Sequence, residues 1–349
     1  MVTSFIKIVL TAAIVSIAFS CGNNKEFTRV PVNIRDVINI DIHSSMIIES
    51  IPLEFSEESE IKGVSKFEIY NDTIFLLTRG RVLSFNRAGL FLAQIGEPGV
   101  FSFFIDNGEL WLNYKEEKRI AVFSADGAFL LSLDLADALS TVSVVAPLDV
   151  NGEKFFLAKN GYMGTRVSTP LFTLFDKSFG NSTVSNVNQL SSAEFTDILY
   201  PFDNTLLYWE VMNDTIFEIN SDLQKRVRYL VDFGKHTFPA IEGGKNDPFE
   251  RIQVFNVGDN RDNYASLINN VREDNHYLYF CYQHKYGFQY ITRYTKNRGK
   301  SEVFFVIDAQ REEGVAFSHL FTEEGDLFIP AVRYGVNNGN PVIHRIRLN

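Results

Sequence analysis

Sulfur is scarce in this chain: of 349 residues, two are Cys and four are Met. Cys21 stands at the end of an apolar N-terminal run, so only Cys281 falls in the body of the chain and no internal disulfide framework can form. Cys281 sits in the alternating aromatic stretch Tyr279-Phe280-Cys281-Tyr282, where a thiol is expected to pack as a small, inert hydrophobe. Excess positive charge is also missing. Lys and Arg number 33 against 43 Asp and Glu, a formal charge of −10. Nucleic-acid binders need a basic stripe, and only scattered pairs such as Lys118-Arg119 and Lys225-Arg226 occur, so no nucleic-acid partner is expected. Catalytic signatures are absent as well: no nucleophile elbow, no His-Glu-x-x-His pair, no Walker loop and no Cys-x-x-Cys.

One sustained apolar run is present, residues 8–19, preceded by Lys7. It is too short to span a bilayer and reads as the hydrophobic region of a signal peptide covering residues 1–20. Small Ser20 directly precedes Cys21, which resembles the lipobox of bacterial lipoproteins although Ala18 and Phe19 replace its commoner residues. That resemblance implies cleavage before Cys21 and acylation there; ordinary cleavage near Ala18 or Ser20 is the other reading. Residues 21–43 are expected to be the tether of a lipid-anchored envelope protein, periplasmic or on the outer-membrane surface, and residues 44–349 the folded domain.

Phe is abundant, with 32 residues, and it falls in a recurring pattern. Six times a polar turn leads into an aromatic or aliphatic burst: Asn71-Asp72-Thr73-Ile74-Phe75, Asn107-Gly108-Glu109-Leu110-Trp111, Asn151-Gly152-Glu153-Lys154-Phe155, Asp203-Asn204-Thr205-Leu206-Leu207, Asp274-Asn275-His276-Tyr277-Leu278 and Glu324-Gly325-Asp326-Leu327-Phe328. Asn, Asp and Gly tolerate the positive φ of tight hairpins, so each event marks a hairpin entering a buried strand. Short strands repeating every 40 to 50 residues, roughly, indicate a β-propeller. The first unit predicts strands at 63–70, 74–78, 81–85 and 90–95, and the next repeats the plan at 100–105, 110–114, 119–123 and 128–133. Further units are expected at 142–187, 196–233 and 264–306, with a sixth from about 315.

The sixth unit has only three strands before the chain ends, while residues 46–55 form a strand without a hairpin partner. Joining the two closes the ring and removes two open sheet edges. The expected fold is therefore all-β, a six-bladed propeller of four-stranded antiparallel blades closed by an N-terminal strand. A seventh blade would have to hide in residues 234–263, which hold Pro239, Gly243, Gly244, Pro248 and Gly258 without sustained alternation and read as a loop.

Several stretches carry a family resemblance: Ile51-Pro52-Leu53-Glu54, Phe85-Asn86-Arg87-Ala88-Gly89-Leu90-Phe91 with Ile95-Gly96, Asn213-Asp214-Thr215-Ile216-Phe217-Glu218-Ile219, and Val231-Asp232-Phe233-Gly234-Lys235. With these the chain resembles the six-bladed β-propeller lipoproteins of Bacteroidetes, distant relatives of NHL-repeat propellers. The resemblance covers most of the chain after Thr28 and implies architecture; the family's biochemical role is largely unassigned. The brief Glu97-Pro98-Gly99 departs from the longer Gly-rich loop that members often carry there.

Loop length concentrates on one face. Second-to-third-strand and between-blade loops share that face, and they include the segments at 160–166, 234–263, 283–287 and 333–338. Variable loops on a rigid scaffold are where binding resides. The expected function is an envelope-anchored, non-enzymatic binding module for a glycan, peptide or envelope protein, monomeric and touching the membrane through its lipid alone. Arg79, Tyr162, Arg166, Arg261, His284, Tyr286, Arg333 and Tyr334 would act by stacking and charge-assisted hydrogen bonds. The alternative is a lactonase- or lyase-like enzyme with an axial metal, calcium in the lactonase precedent, held by oxygen ligands such as Glu210, Asn160, Asp259 and Asn263.

Overall fold

Three strands come first and none belongs to a hairpin: β1 (Thr28–Pro31), β2 (Val37–Asp41) and β3 (Ile47–Pro52). The computed structural model describes residues 27–135, 142–150, 152–160, 172–175, 182–184, 199–210, 212–220, 224–239, 248–285, 288–311, 313–317, 319–331 and 340–348. Within them six antiparallel sheets follow in chain order. Blade 1 is β4 (Lys66–Tyr70), β5 (Thr73–Thr78), β6 (Arg81–Asn86) and β7 (Phe91–Ile95); blade 2 is β8 (Ser102–Asp106), β9 (Glu109–Tyr114), β10 (Arg119–Ser124) and β11 (Phe129–Asp134). Blade 3 is β12 (Val142–Val150), β13 (Glu153–Asn160), β14 (Phe172–Phe175) and β15 (Ser182–Val184). Blade 4 is β16 (Leu199–Phe202), β17 (Thr205–Trp209), β18 (Thr215–Ile219) and β19 (Lys225–Asp232). Blade 5 is β20 (Ser266–Glu273), β21 (Tyr277–His284), β22 (Phe288–Thr295) and β23 (Lys300–Asp308), with the two-residue β24 (Glu313–Gly314) on its edge. Blade 6 has β25 (Phe321–Glu323), β26 (Asp326–Ala331) and β27 (Val342–Arg347) from this end of the chain, and β3 supplies its outer strand.

The expected closure is observed. Strand β3 runs antiparallel to β27 with Ile51 opposite Ile343 and Glu49 opposite Arg345, so the first and last segments of the fold share one sheet. The turns behave as their residue types require: Asn71 and Asp72 adopt φ of 46° and 59°, and Asn107-Gly108 adopt 48° and 83°.

Strand alternation explains why the blade interiors read as continuous apolar runs. Along β5, Ile74 and Leu76 face the side of blade 6 and pack with Phe328 and Ile343, while Phe75 and Leu77 face blade 2 and pack with Phe103 and Leu112. Strand β9 repeats the arrangement, with Leu110 and Leu112 toward blade 1 and Trp111 toward Phe156 of blade 3. Both faces of a middle strand are buried between neighbouring blades, so polar alternation disappears.

Two expectations need correction. Residues 21–43 are not tether throughout: β1 pairs in parallel with β19, Val30 opposite Val231, and β2 pairs in parallel with β23, Ile40 opposite Val306. The chain thus lays successive strands on blades 4, 5 and 6. Val30 and Ile40 are fully buried, which is the burial that holds the belt. Residues 234–263 are also not simply a loop. They contain a 3-10 turn (Gly234–His236), helix α1 (Pro248–Phe255) and the short α2 (Asn260–Asn263). Phe238 and Phe255 bury against Met212 of blade 4, a small core that needs no strand periodicity. The signal peptide and Cys21 lie outside the described residues.

Candidate functional site

Inside the ring, paired charge joins the first strands of two blades. Glu68 on β4 accepts from Arg272 on β20 at 3.2 Å, an ion pair that joins blade 1 to blade 5. Lys66 approaches the same carboxylate at 3.7 Å, and the Arg272 guanidinium lies 4.8 Å from the centre of the Tyr200 ring of blade 4. Arg272 is 1% exposed, so this contact is a strut across the ring interior rather than an open mouth. The ligands of the axial-metal alternative go elsewhere. Glu210 pairs with Lys225 at 2.6 Å and accepts from Tyr208 and Asn213, all within blade 4. Asp259 precedes α2 and Asn263 ends it, while Asn160 ends β13. Among the described residues no group of three or more His, Cys, Asp or Glu side chains is placed to hold a metal.

The more open chemistry lies at the rim, on the loop-bearing face between blades 4 and 5. A cavity of about 540 Å³ is lined by Arg35, His236, Asp262, His284, Lys285 and Tyr290, among others. The belt forms one wall. Between β1 and β2 the chain turns through Asn33, whose amide donates to Asp36 and whose side-chain oxygen accepts the Arg35 amide, and this turn presents Ile34 and Arg35 to the cavity. A second cavity of about 570 Å³ shares Ile34, Arg35 and His236 with it.

Two histidines are held there by the same device. His236 Nδ1 lies 2.8 Å from the Asn263 carbonyl oxygen, and His284 Nδ1 lies 3.1 Å from the Tyr264 carbonyl oxygen. A carbonyl only accepts, so each ring carries a proton on Nδ1 and turns its Nε2 away from that carbonyl. The rings are 5.7 Å apart and inclined at 68°. His236 Nε2 is buried without a hydrogen-bond partner among the described residues. Burial pushes the His284 imidazole below its ordinary pKa; its bond to Tyr264 opposes the shift, His236 and Lys285 add to it, and Asp262 opposes it. The ring is therefore neutral at neutral pH. Tyr290, packed 5.9 Å from His284 and stacked on Tyr282, fixes the wall behind it.

Of the expected site residues that are described, His284 alone lines this pocket. Arg79 is exposed in the two-residue connection between β5 and β6, at φ 46°. Arg261 is spent within the helical insert, donating to Asn256 Oδ1 at 2.7 Å from Nε. Tyr162, Arg166, Tyr286, Arg333 and Tyr334 lie outside the described residues. Sequence reasoning missed His236, Arg35, Asp262 and Lys285. His236 follows directly on the Val231-Asp232-Phe233-Gly234-Lys235 stretch, and it gains meaning only through the distant His284; Arg35 was hidden by the tether reading.

A closed propeller with an ion pair across its interior and, among the described residues, polar cavities at the rim is the class of molecule these features define. The chain belongs to the DUF4934 family, a domain of unknown function, whose model matches residues 40–331. No curated protein matches it. Among solved structures it is similar to an exported protein of Bacteroides fragilis, with 15% identity and a TM-score of 0.68 over 92% of this chain and 100% of that one. A DUF4221-family protein of Bacteroides vulgatus is 10% identical, with a TM-score of 0.58 over 86% and 97% of the two chains. Virginiamycin B lyase of Staphylococcus aureus is 12% identical, with a TM-score of 0.50 over 86% and 99%. At such identities the likeness is one of fold.

Proposed function

We propose that this chain is an exported, non-enzymatic binding propeller that presents its loop-bearing face to a glycan or peptide, with the rim pocket between blades 4 and 5 as the anchor. The observation that carries the reading is the pocket itself. It sets the cations Arg35 and Lys285 and the amide Asn39 beside imidazole acceptors and the Asp262 carboxylate, on a face that also carries the long connections. Such mixed, convergent polarity suits a hydroxyl- and amide-bearing ligand. Arg79 lies in the connection between β5 and β6, and Tyr162, Arg166, Tyr286, Arg333 and Tyr334, by their places in the sequence, would extend the contact. The Bacteroides fragilis relative is described as exported, and among the described residues no helix is long and apolar enough to cross a membrane. The first agrees with export; anchoring in the cell envelope through Cys21 is part of the proposal.

A glycan and peptide array probed with the wild type and with Arg35→Ala/Lys285→Ala and Tyr162→Ala/Arg333→Ala variants tests this. The double variants are expected to lose binding without moving the melting temperature. Array binding unchanged in both, or a wild type that binds nothing on the array, overturns the reading.

A further inference from the structure

The rim pocket holds two imidazoles with more organisation than a hydrogen-bonding ligand requires. Both rings are anchored through Nδ1–H to consecutive backbone carbonyls, Asn263 and Tyr264, at the end of α2. This outer-shell bond is the one that fixes the tautomer and aims the Nε2 lone pair of a metal-binding histidine. One ring, His236, keeps its Nε2 buried and unpartnered among the described residues. An uncompensated buried acceptor is destabilising, so the arrangement is costly unless something occupies the nitrogen.

The ring separation fits a shared ion. A metal about 2.0–2.1 Å from each Nε2 would put the two ring centres roughly 5–6 Å apart, and they stand at 5.7 Å. Asp262 on α2 lines the same cavity. It supplies negative charge that offsets Arg35 and Lys285 for an entering cation. Two imidazole nitrogens select a borderline transition ion over hard calcium or magnesium, which prefer oxygen.

We infer that His236 and His284 form a two-imidazole site for a divalent transition-metal ion of the zinc, copper or nickel kind, its remaining positions open to water or to a donor atom of the bound ligand. The inference rests on the binding reading of the loop-bearing face and gives its pocket a chemistry. An ion with open positions would let the pocket grip a ligand through a carboxylate or vicinal hydroxyls, and the site would be weak alone and stronger with ligand present.

The test uses untagged protein and the metals alone. Equilibrium dialysis and calorimetry with Zn2+ and Cu2+ should show one bound equivalent at the pocket, and pulsed paramagnetic resonance of the Cu2+ form should show two imidazole nitrogens. His236→Asn and His284→Asn each keep an N–H for the backbone carbonyl and delete Nε2. Each should lower the affinity by at least the tenfold or so that an outer-shell loss costs, with the melting temperature of the metal-free protein little changed for His236→Asn. His276→Asn, in a turn of the opposite face, should bind as the wild type does. Absence of a bound equivalent, or affinity unchanged in both pocket variants, overturns the inference. Metal binding lost while array binding persists leaves the binding reading standing, and the reverse result removes that reading while leaving the metal site.

Discussion

At the scale of single residues, the most exacting position is Glu273 at the end of β20. Its side chain is fully buried, yet it pairs with Arg228 at 2.8 Å and Lys296 at 2.5 Å and accepts from the Tyr229 hydroxyl at 2.7 Å. Arg228 of blade 4 and Lys296 of blade 5 meet on this one buried carboxylate; Arg228 keeps Glu218 at 2.6 Å, so Glu273→Ala takes the carboxylate partner from Lys296 and half of the Arg228 pairing. A loss of about 3–5 kcal/mol is expected, read from urea unfolding; Tyr229→Phe, which removes one neutral donor, should cost far less. Asp214 is the opposite case. Burial raises its carboxyl to about 7, Arg251 opposing and Asp232 adding to the shift. Unfolded, the group ionises near its ordinary value of about 4. Between these values the folded state binds the extra proton, so this residue makes stability fall as pH rises from about 4 to 7 and then level off. Asp214→Asn should unfold at higher urea than the wild type at pH 8, and the gap should close toward pH 4. A wild-type midpoint that is flat across that window would contradict the assignment.

The closing strand is the decisive element. Beyond β3, Glu54 donates its amide to the Gly89 carbonyl at 2.8 Å and accepts from the Phe91 amide at 2.8 Å, tying the closure to the outer turn of blade 1. Gly89 sits at φ +85°, and a Cβ there would lie 2.2 Å from the Pro52 carbonyl oxygen. Gly152 has nearly the same φ, +84°, with nothing within 4 Å of its notional Cβ. Both Ala variants carry the left-handed strain of about 1–2 kcal/mol, but only Gly89→Ala must also push the closing strand away. Its melting temperature should therefore drop clearly further than that of Gly152→Ala; equal drops would show that the contact at Pro52 bears no stability. These elements were largely legible in advance. The strands of blades 1 and 2 fall within a few residues of their expected limits because each hairpin is local and its turn residues adopt the φ they favour. The belt strands were not. Thr28–Pro31 and Val37–Asp41 are short, carry no turn signal, and pair in parallel with strands more than two hundred residues away.

For the molecule as a whole, the belt and the closure can be separated. A chain beginning at Ser44 keeps β3 and loses β1 and β2; it should remain folded with a reduced melting temperature, since buried Val30, Val32, Ile34 and Ile40 go with the belt. Ligand binding should be lost, because Arg35 and the turn that walls the pocket are gone, while His236 and His284 remain in the chain. A chain beginning at Ser56 also leaves β27 with an open edge and should fail to give a cooperative melt. If the two truncations melt alike, β3 does not close the ring.

What the sequence determined by itself is the part built from short-range physics. Polar turns of fixed type, alternation that vanishes where both faces are buried, and a strand count one short at the end were enough for six blades and their closure. Only the tertiary structure decided the site. His284 was visible as a loop-end histidine, but its partner His236, the cation Arg35 and the carboxylate Asp262 come from the blade 4 exit, the belt and the helical insert, segments with no common pattern in sequence. Their meeting is set by which blade edge receives which N-terminal strand and by how α1 packs on Met212 and α2 on β21, and long-range packing of that kind leaves no periodic trace along the chain.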